Sequence, residues 1–215
     1  MLHYLYADEL NSKPVLKNAM FKDRATQFAE RLGWDVVVDA YGEERDEYDK
    51  MNPLYVIWQR PDGSHGGSMR ALPTTARCMT NDHFKDITGG EIKSPLIWES
   101  TRFCLGPCAD KDASQISAAI MLGGAEIGLK FGLKHAVGVF DARMVRIYRA
   151  LGGAPEILGS SGGGRNRISV GLWEFSEEIR LRLCAKAGVA PELSALWIDQ
   201  AFGMPRMTKV DALVG

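Results

Sequence analysis

Short apolar runs broken by turn-forming clusters fill the first hundred residues, and the remainder alternates such runs with stretches of helical period. Leu2–Tyr6 predicts a first strand. Pro14 to Leu32 predicts a helix, with a proline at its start and Gly33 at its end. Trp34–Asp39, with three consecutive valines, predicts a strand. Leu54 to Leu72 predicts an antiparallel hairpin around the turn Pro61–Gly67. A helical turn is expected near His83–Ile87 and a further strand over Pro95–Leu105. From Ser114 to Leu133 the spacing of Ile116, Ile120, Ile127 and Phe131 predicts a largely buried helix. A strand at His135–Phe140, a helix at Ala142–Gly153, a strand at Ile168–Phe175 and a serine-capped helix at Ser176–Gly188 follow. After Pro191 a short helix and then a loose tail, from about residue 203, are expected. The sum is an α/β fold, a mixed and mostly antiparallel central sheet flanked by helices, rather than a doubly wound parallel sheet.

The chain has 215 residues, a length that suits one domain over 1–215 with a sizeable core. Its 46% apolar and 25% charged residues are those of an ordinary globular protein. No apolar run approaches bilayer-spanning length, and the start lacks the pattern of a secretory signal, so the expectation is a cytoplasmic protein with no membrane span. A net charge of −1 provides no field for nucleic acid. Locally the balance differs, with an acidic stretch before Asp49 and an excess of Lys and Arg between Lys130 and Arg182. Cys104 and Cys108 have no second pair at ligand spacing, and His3, His65, His83 and His135 are scattered. No metal site is expected, and the thiols read as reduced and partly buried.

Candidate chemistry concentrates in four places. Arg24, Phe28 and Arg31 sit at helical spacing, which would set two guanidinium groups around an aromatic ring. Trp34 follows, and then Asp35, Asp39, Glu43, Glu44, Asp46, Glu47 and Asp49 stand against the single base Arg45. Aromatics beside carboxylates suit a small cationic ligand, although the same residues also describe an amphipathic helix and a solvated acidic loop. Asp46, Asp49 and Arg70 form a second set, readable as a structural ion-pair cluster. In the strand near Glu99, alternation puts Trp98, Ser100 and Arg102 on one face and Glu99, Thr101 and Phe103 on the other. Glu99 beside an aromatic has the makings of a general base, and equally of a surface carboxylate. The stretch Gly159–Arg167 lacks the lysine of a phosphate cradle and reads as a flexible loop.

Together, Arg24, Phe28, Trp34, Asp46, Asp49, Arg70, Glu99 and Arg102 resemble the pattern of the acyl-homoserine-lactone synthases, the bacterial autoinducer synthases of quorum sensing. The spacing R-x3-F-x5-W followed by D-x2-D carries the resemblance, as does W-E-S-T-R-F further on, with Phe84 as the aromatic between these blocks. The likeness extends from the N-terminal helix to about Gly153.

The resemblance implies a three-layer fold related to the GNAT N-acyltransferases. It implies an acyltransferase that joins S-adenosylmethionine, as substrate and without a cofactor, to an acyl chain carried on acyl carrier protein, or in some members on coenzyme A. The amine attacks the thioester, and the methionine carboxylate then displaces methylthioadenosine to close the lactone. Glu99 is implied as the base, with Asp46 as second choice. Arg24 would bind the methionine carboxylate or lock the acidic loop, and Arg70 would hold the charge cluster together. Phe28, Trp34, Asp49, Phe84, Thr101, Arg102 and Phe103 would line the substrate site, with amides of Thr101–Leu105 for the oxyanion. Thr101 stands where many members have serine. Gly138 stands where members that prefer 3-oxo chains have threonine, so an unsubstituted or 3-hydroxy chain is expected. Gly123, Gly124, Ala136 and Gly138 would leave room for the chain, and Arg143, Arg146 and Arg149 would meet an acidic carrier protein. The alternatives are a GNAT-type enzyme using acyl-CoA on another amine, and a non-catalytic regulator that binds the same ligands.

Overall fold

The computed structural model describes residues 1–107 and 110–203. Seven strands form its sheet: β1 (Leu2–Tyr6), β2 (Leu54–Gln59), β3 (His65–Pro73), β4 (Ile97–Leu105), β5 (His135–Asp141), β6 (Glu156–Ser161) and β7 (Ile168–Glu174). Their order is β1-β2-β3-β4-β5-β7-β6, and only the β4–β5 pair is parallel. The helices are α1 (Pro14–Ala25), α2 (Met79–His83), α3 (Lys85–Thr88), α4 (Asp110–Lys130), α5 (Ala142–Leu151), α6 (Glu177–Ala187) and α7 (Pro191–Phe202).

The period of two in β2 explains the layering. Tyr55 and Ile57 pack with Leu16, Met20 and Phe21 of α1. Leu54 and Val56 turn the other way and join Ala119, Ile120 and Leu122 of α4. Helix α1 covers β3 and β4, and α2 and α3 continue that layer over β5, β6 and β7. On the opposite face α4 crosses β1 to β4, with α6 and α7 packed against it. The fold is therefore of the expected class, a mostly antiparallel sheet between two helical layers. No helix among the described residues is long and apolar enough to cross a membrane.

Strands β4 and β5 are in register only from Ile97 to Glu99 against His135 to Val137. Beyond that point β4 stays paired with β3, and β5 with β7, so the two strands part and the sheet opens. This split places the cavity described below.

Three elements differ from the sequence expectation. Trp34–Asp39 is not a strand: it makes only an isolated bridge, Val38 to Glu44, and leaves Val37 exposed. Its valines have β propensity, but the segment joins no strand of the sheet and its backbone bonds are local, Asp39 to Glu43 and Arg45 to Val37. The helix from Pro14 does reach the Gly33 turn, yet its last part, Thr26–Arg31, widens into π geometry. Gly33 then takes φ +65°, a conformation that favours glycine. Finally, Gly159–Ser161, read as loop, belongs to edge strand β6, paired with Ser169 and its neighbours in β7. The tail beyond residue 203 lies outside the described residues.

Candidate active site

The acidic segment folds back onto the π turn and the sheet, and its carboxylates meet three arginines. Asp46 caps a single 3-10 turn, Glu47–Lys50, and forms a reciprocal capping box with Asp49. Arg24, from α1, gives Asp49 two parallel hydrogen bonds of 3.0 Å and Glu44 one of 2.6 Å. Arg70, from β3, binds Asp46 through both terminal nitrogens, Asp49 at 2.9 Å and the Thr101 hydroxyl at 3.1 Å. Arg102 reaches Glu44 at 2.9 Å and Asp46 at 2.9 Å. Tyr55 donates its phenol proton to Asp49.

These charges balance. Glu44, Asp46 and Asp49 supply three negative charges, and Arg24, Arg70 and Arg102 three positive ones, so the cluster is neutral overall. Burial alone would lower the Arg24 guanidinium, but Asp49 and Glu44 outweigh it and hold it above its ordinary value. Burial alone would raise Asp49, but Arg24 and Arg70 hold it well below the usual carboxylate range. The expected free acidic receptor for a cation is thus corrected. Asp46 and Asp49 are engaged by guanidinium groups, and Arg24, 1% exposed, locks the loop and offers nothing to a substrate carboxylate. The arrangement of the aromatic ring also differs from the helical expectation. The π turn carries Phe28 away from Arg24, which lies over Phe21 instead, and the cation facing Phe28 is Arg102, 5.5 Å from the ring centre.

Phe28 stacks on Trp34 at 5.1 Å, with their planes 8° apart, and Trp34 is 39% exposed. The pair stands at one end of a cavity of about 720 Å³ that Phe84, Glu99, Thr101, Arg102, Phe103 and Gly138 also line. Its further walls are Met69, Met121, Gly124, Ile127, Leu133 and Leu183, from the α4 face. Because lining residues come from both faces, the cavity passes through the sheet where β4 and β5 part. One end is aromatic and polar and the other apolar, the layout of a site for an extended amphipathic ligand.

Glu99 lies on that wall and is 1% exposed. One carboxylate oxygen accepts from the Thr80 amide and the other from the Met79 amide at 3.2 Å, both in the first turn of α2. A carboxylate has about four acceptor positions, so two amides fix its orientation and leave others for a ligand.

Strand β4 does not keep the alternation expected of it. Arg102 has φ +54°, and the β3–β4 register slips between Ser68 and Arg70. Two residues, Arg102 and Phe103, thus stand opposite one, Met69, as in a β-bulge. The bulge exchanges their faces: Arg102 joins Thr101 and the charge cluster, while Phe103 packs with Trp98 and Leu105 on the α4 side. Gly123 is likewise corrected, since a Cβ there would lie 2.3 Å from Val56 and the residue serves helix–sheet packing.

Among the described residues no group of three or more His, Cys, Asp and Glu side chains could hold a metal ion. Burial, and then the Glu99 charge, pushes the Cys78 thiol up to about 11; burial, and then Asp23, pushes Cys104 up to about 12. Both therefore stay protonated, and the nucleophilic form is the thiolate. Cys108 lies outside the described residues.

Residues 8–180 match the family described as autoinducer synthase. The acyl-homoserine-lactone synthase of Rhizobium etli is 36% identical over 184 residues, 83% of this chain and 86% of that protein. The chain belongs to the autoinducer synthase family. Among solved structures it is similar to the AHL synthase LasI, at 26% identity and a TM-score of 0.74 over 88% of this chain and 96% of that one. The fold is shared with BjaI, described as a CoA-dependent acyl-homoserine lactone synthase with SAM and isopentyl-CoA, at 20% identity and a TM-score of 0.77 over 88% and 90% of the two chains. It extends to an aminoglycoside 6′-acetyltransferase, at 13% identity and a TM-score of 0.51 over 81% and 96%. The autoinducer synthase is thus an acyltransferase with a GNAT-like fold.

Two residues of this synthase site went unremarked in the sequence. Glu44 was one acid in seven, yet it is fully buried between Arg24 and Arg102. The signal was available: with Glu99 set aside as the base, the three arginines of the pattern faced only Asp46 and Asp49, which left one positive charge unmatched. Tyr48 joins the 3-10 turn to α2 by donating to Asp82 at 2.8 Å, and no spacing rule reveals such a contact across 34 positions.

Proposed function

We propose that the polar end of the cavity takes S-adenosylmethionine and that the apolar end takes the acyl chain of a thioester presented by acyl carrier protein. The observation that carries the reading is the position of Glu99, a buried carboxylate oriented by two backbone amides on the wall between the two ends. The charge cluster is neutral, so it acts as a brace, and the sulfonium meets the faces of Phe28 and Trp34. Glu99 takes a proton from the substrate ammonium, directly or through water, and frees the lone pair needed for attack. The amine nitrogen bonds to the thioester carbon, and the developing oxyanion is met by backbone amides beside the Arg102–Phe103 bulge, where the ladder with β3 is interrupted. The carbon–sulfur bond breaks and the carrier thiol leaves. A methionine carboxylate oxygen then attacks the carbon next to the sulfonium, which expels methylthioadenosine and closes the lactone.

Asp46 is less available to a substrate because Arg70 and Arg102 occupy its oxygens. S-adenosylmethionine enters as substrate, and the reaction so read needs no further cofactor. BjaI, held with SAM and isopentyl-CoA, supports pairing these two kinds of substrate in this fold. The carrier-protein donor is supported by the exposed row Arg143, Arg146 and Arg149 on α5, of which Arg143 also lines the cavity. The unpaired buried thiols Cys78, Cys104 and Cys184 accord with the cytoplasm as the site of action.

Purified protein given S-adenosylmethionine and a panel of acyl thioesters is expected to release methylthioadenosine and an acyl-homoserine lactone together. Absence of both with every chain and either carrier would sink the reading. Glu99→Gln keeps the shape of the side chain and removes the base, so kcat is expected to fall about 10²- to 10⁴-fold. Because its amide nitrogen would face one of the two backbone N–H groups, the melting temperature is expected to fall by a few degrees with the fold kept. Unchanged turnover would take Glu99 out of this role.

A further inference from the structure

Within the apolar part of the cavity one hydrogen-bond donor has a poor partner. Ser100, the residue after Glu99, turns its side chain to the opposite face, and its hydroxyl donates to Met69 Sδ at 3.4 Å. A thioether sulfur is a weak acceptor, so an oxygen offered by a ligand would displace it at little cost. Ser100, Met69 and Gly138 all line the cavity. A Cβ on Gly138 would lie 2.9 Å from the Ser100 carbonyl oxygen and 3.3 Å from the Trp173 ring. The glycine therefore keeps open a gap that the Ser100 carbonyl borders, at the place where β4 and β5 stop pairing. A hydroxyl that donates and a carbonyl oxygen with two acceptor positions thus flank one small space.

We propose that Ser100 selects an acyl chain with a hydroxyl on its third carbon. This rests on the reading of the cavity as the acyl site. The thioester carbon has to meet an amine beside Glu99, and the third carbon lies about 2.5 Å further along, two C–C bonds on, at the level of the next residue. A 3-hydroxyl uses both groups: its oxygen accepts from Ser100 Oγ and its proton goes to the Ser100 carbonyl. A 3-oxo group accepts from Oγ, but it brings its oxygen towards the carbonyl with no proton between them. An unsubstituted chain leaves the serine with only the thioether.

The test is internal competition between thioesters of one chain length, unsubstituted, 3-hydroxy and 3-oxo, with the lactone products quantified by mass spectrometry. The wild type is expected to favour the 3-hydroxy chain over both others by about tenfold, the scale of one satisfied hydrogen bond. Ser100→Ala is expected to bring the 3-hydroxy to unsubstituted ratio close to one. Ser100→Cys, of similar size and a weak donor, is expected to do the same, which separates hydrogen bonding from a change in packing. A product ratio is read in one tube, so a general loss of rate in either variant does not obscure it. Lactones from all three chains without discrimination, or a ratio that neither variant moves, would overturn this inference alone. No lactone from any chain would overturn the reading of the site, and this inference with it.

Discussion

At Asp49 two guanidinium groups, a phenol and a backbone amide converge on one carboxylate whose side chain is 5% exposed. Removing one partner from such a buried set costs about 3–5 kcal/mol, because the charges left behind are uncompensated. The same geometry sets a pH dependence. Asp49 has a folded pKa below its unfolded value of about 3.9, so its contribution is fully present above that range. It is lost as pH falls through 3.9 towards the lower folded value. Urea midpoints for the wild type are therefore expected to hold from pH 7 to about 5 and drop between about 5 and 3. Asp49→Asn is expected to start lower and fall less steeply over that window. Parallel curves would show that the carboxylate charge is not what these arginines stabilise. Arg24, whose pKa is raised, stays charged throughout the window and adds no slope of its own. Glu99 differs from Asp49 in its partners, having two backbone amides where Asp49 has guanidinium groups.

Helix α2 has five residues, too few to stand alone in water. Glu99 holds its first turn, and Tyr48 and Arg77 hold Asp82 near its end, at 2.8 and 2.7 Å. The Tyr48 ring also lies 5.5 Å from the Arg70 guanidinium and 5.4 Å from that of Arg77. A path of direct contacts thus leads from the charge cluster through Tyr48 and Asp82 to the helix that aims Glu99. Tyr48→Phe keeps the ring and loses one hydrogen bond, so the expected stability loss is about 1 kcal/mol. If Tyr48 acts as a positioning residue, kcat falls about fivefold with KM for S-adenosylmethionine little changed, and the loss vanishes in a Glu99→Gln background. Additive losses would mean that Tyr48 serves only stability. The element scale also shows why the sequence was only partly legible. Strands with a buried face, such as Leu54–Gln59, announce themselves, and so does the Arg24-to-Glu99 residue set. Edge strand β6 did not, because Glu156–Ser161 is largely exposed and has no apolar face to read. Trp34–Asp39 misled in the opposite sense, having the residues of a strand but only a local bridge to Glu44. The bulge at Arg102 was hidden because alternation assumes an unbroken ladder, and the slip depends on its partner β3.

On the scale of the whole molecule, a split sheet between two helical layers carries one cavity with lining residues from both faces. The π turn, Trp34, Met79 and Phe84 line the cavity on one side of the sheet, while residues of α4, α5 and α6 line it on the other. The acyl donor then has to approach from outside, and the net charge of −1 does nothing to draw it in. Steering has to be local, and Arg143, Arg146 and Arg149 form an exposed row on α5. Arg143 is tied to Asp141 at 2.6 Å, which leaves Arg146 and Arg149 as the residues to vary. An acidic carrier protein offers many charges over a wide face, whereas coenzyme A offers a few phosphates at a point. Reversing Arg146 and Arg149 to glutamate is therefore expected to lower kcat/KM for the carrier-bound chain about tenfold or more, through weaker encounter. The same chain on coenzyme A would lose only a few-fold. Raising ionic strength from 50 to 500 mM is expected to weaken the wild type towards the variant, because exposed charges are screened within about a Debye length. The variant itself would respond little. Equal turnover of the two donors by the wild type, with no salt dependence, would assign the arginine row to solvent and the donor to coenzyme A.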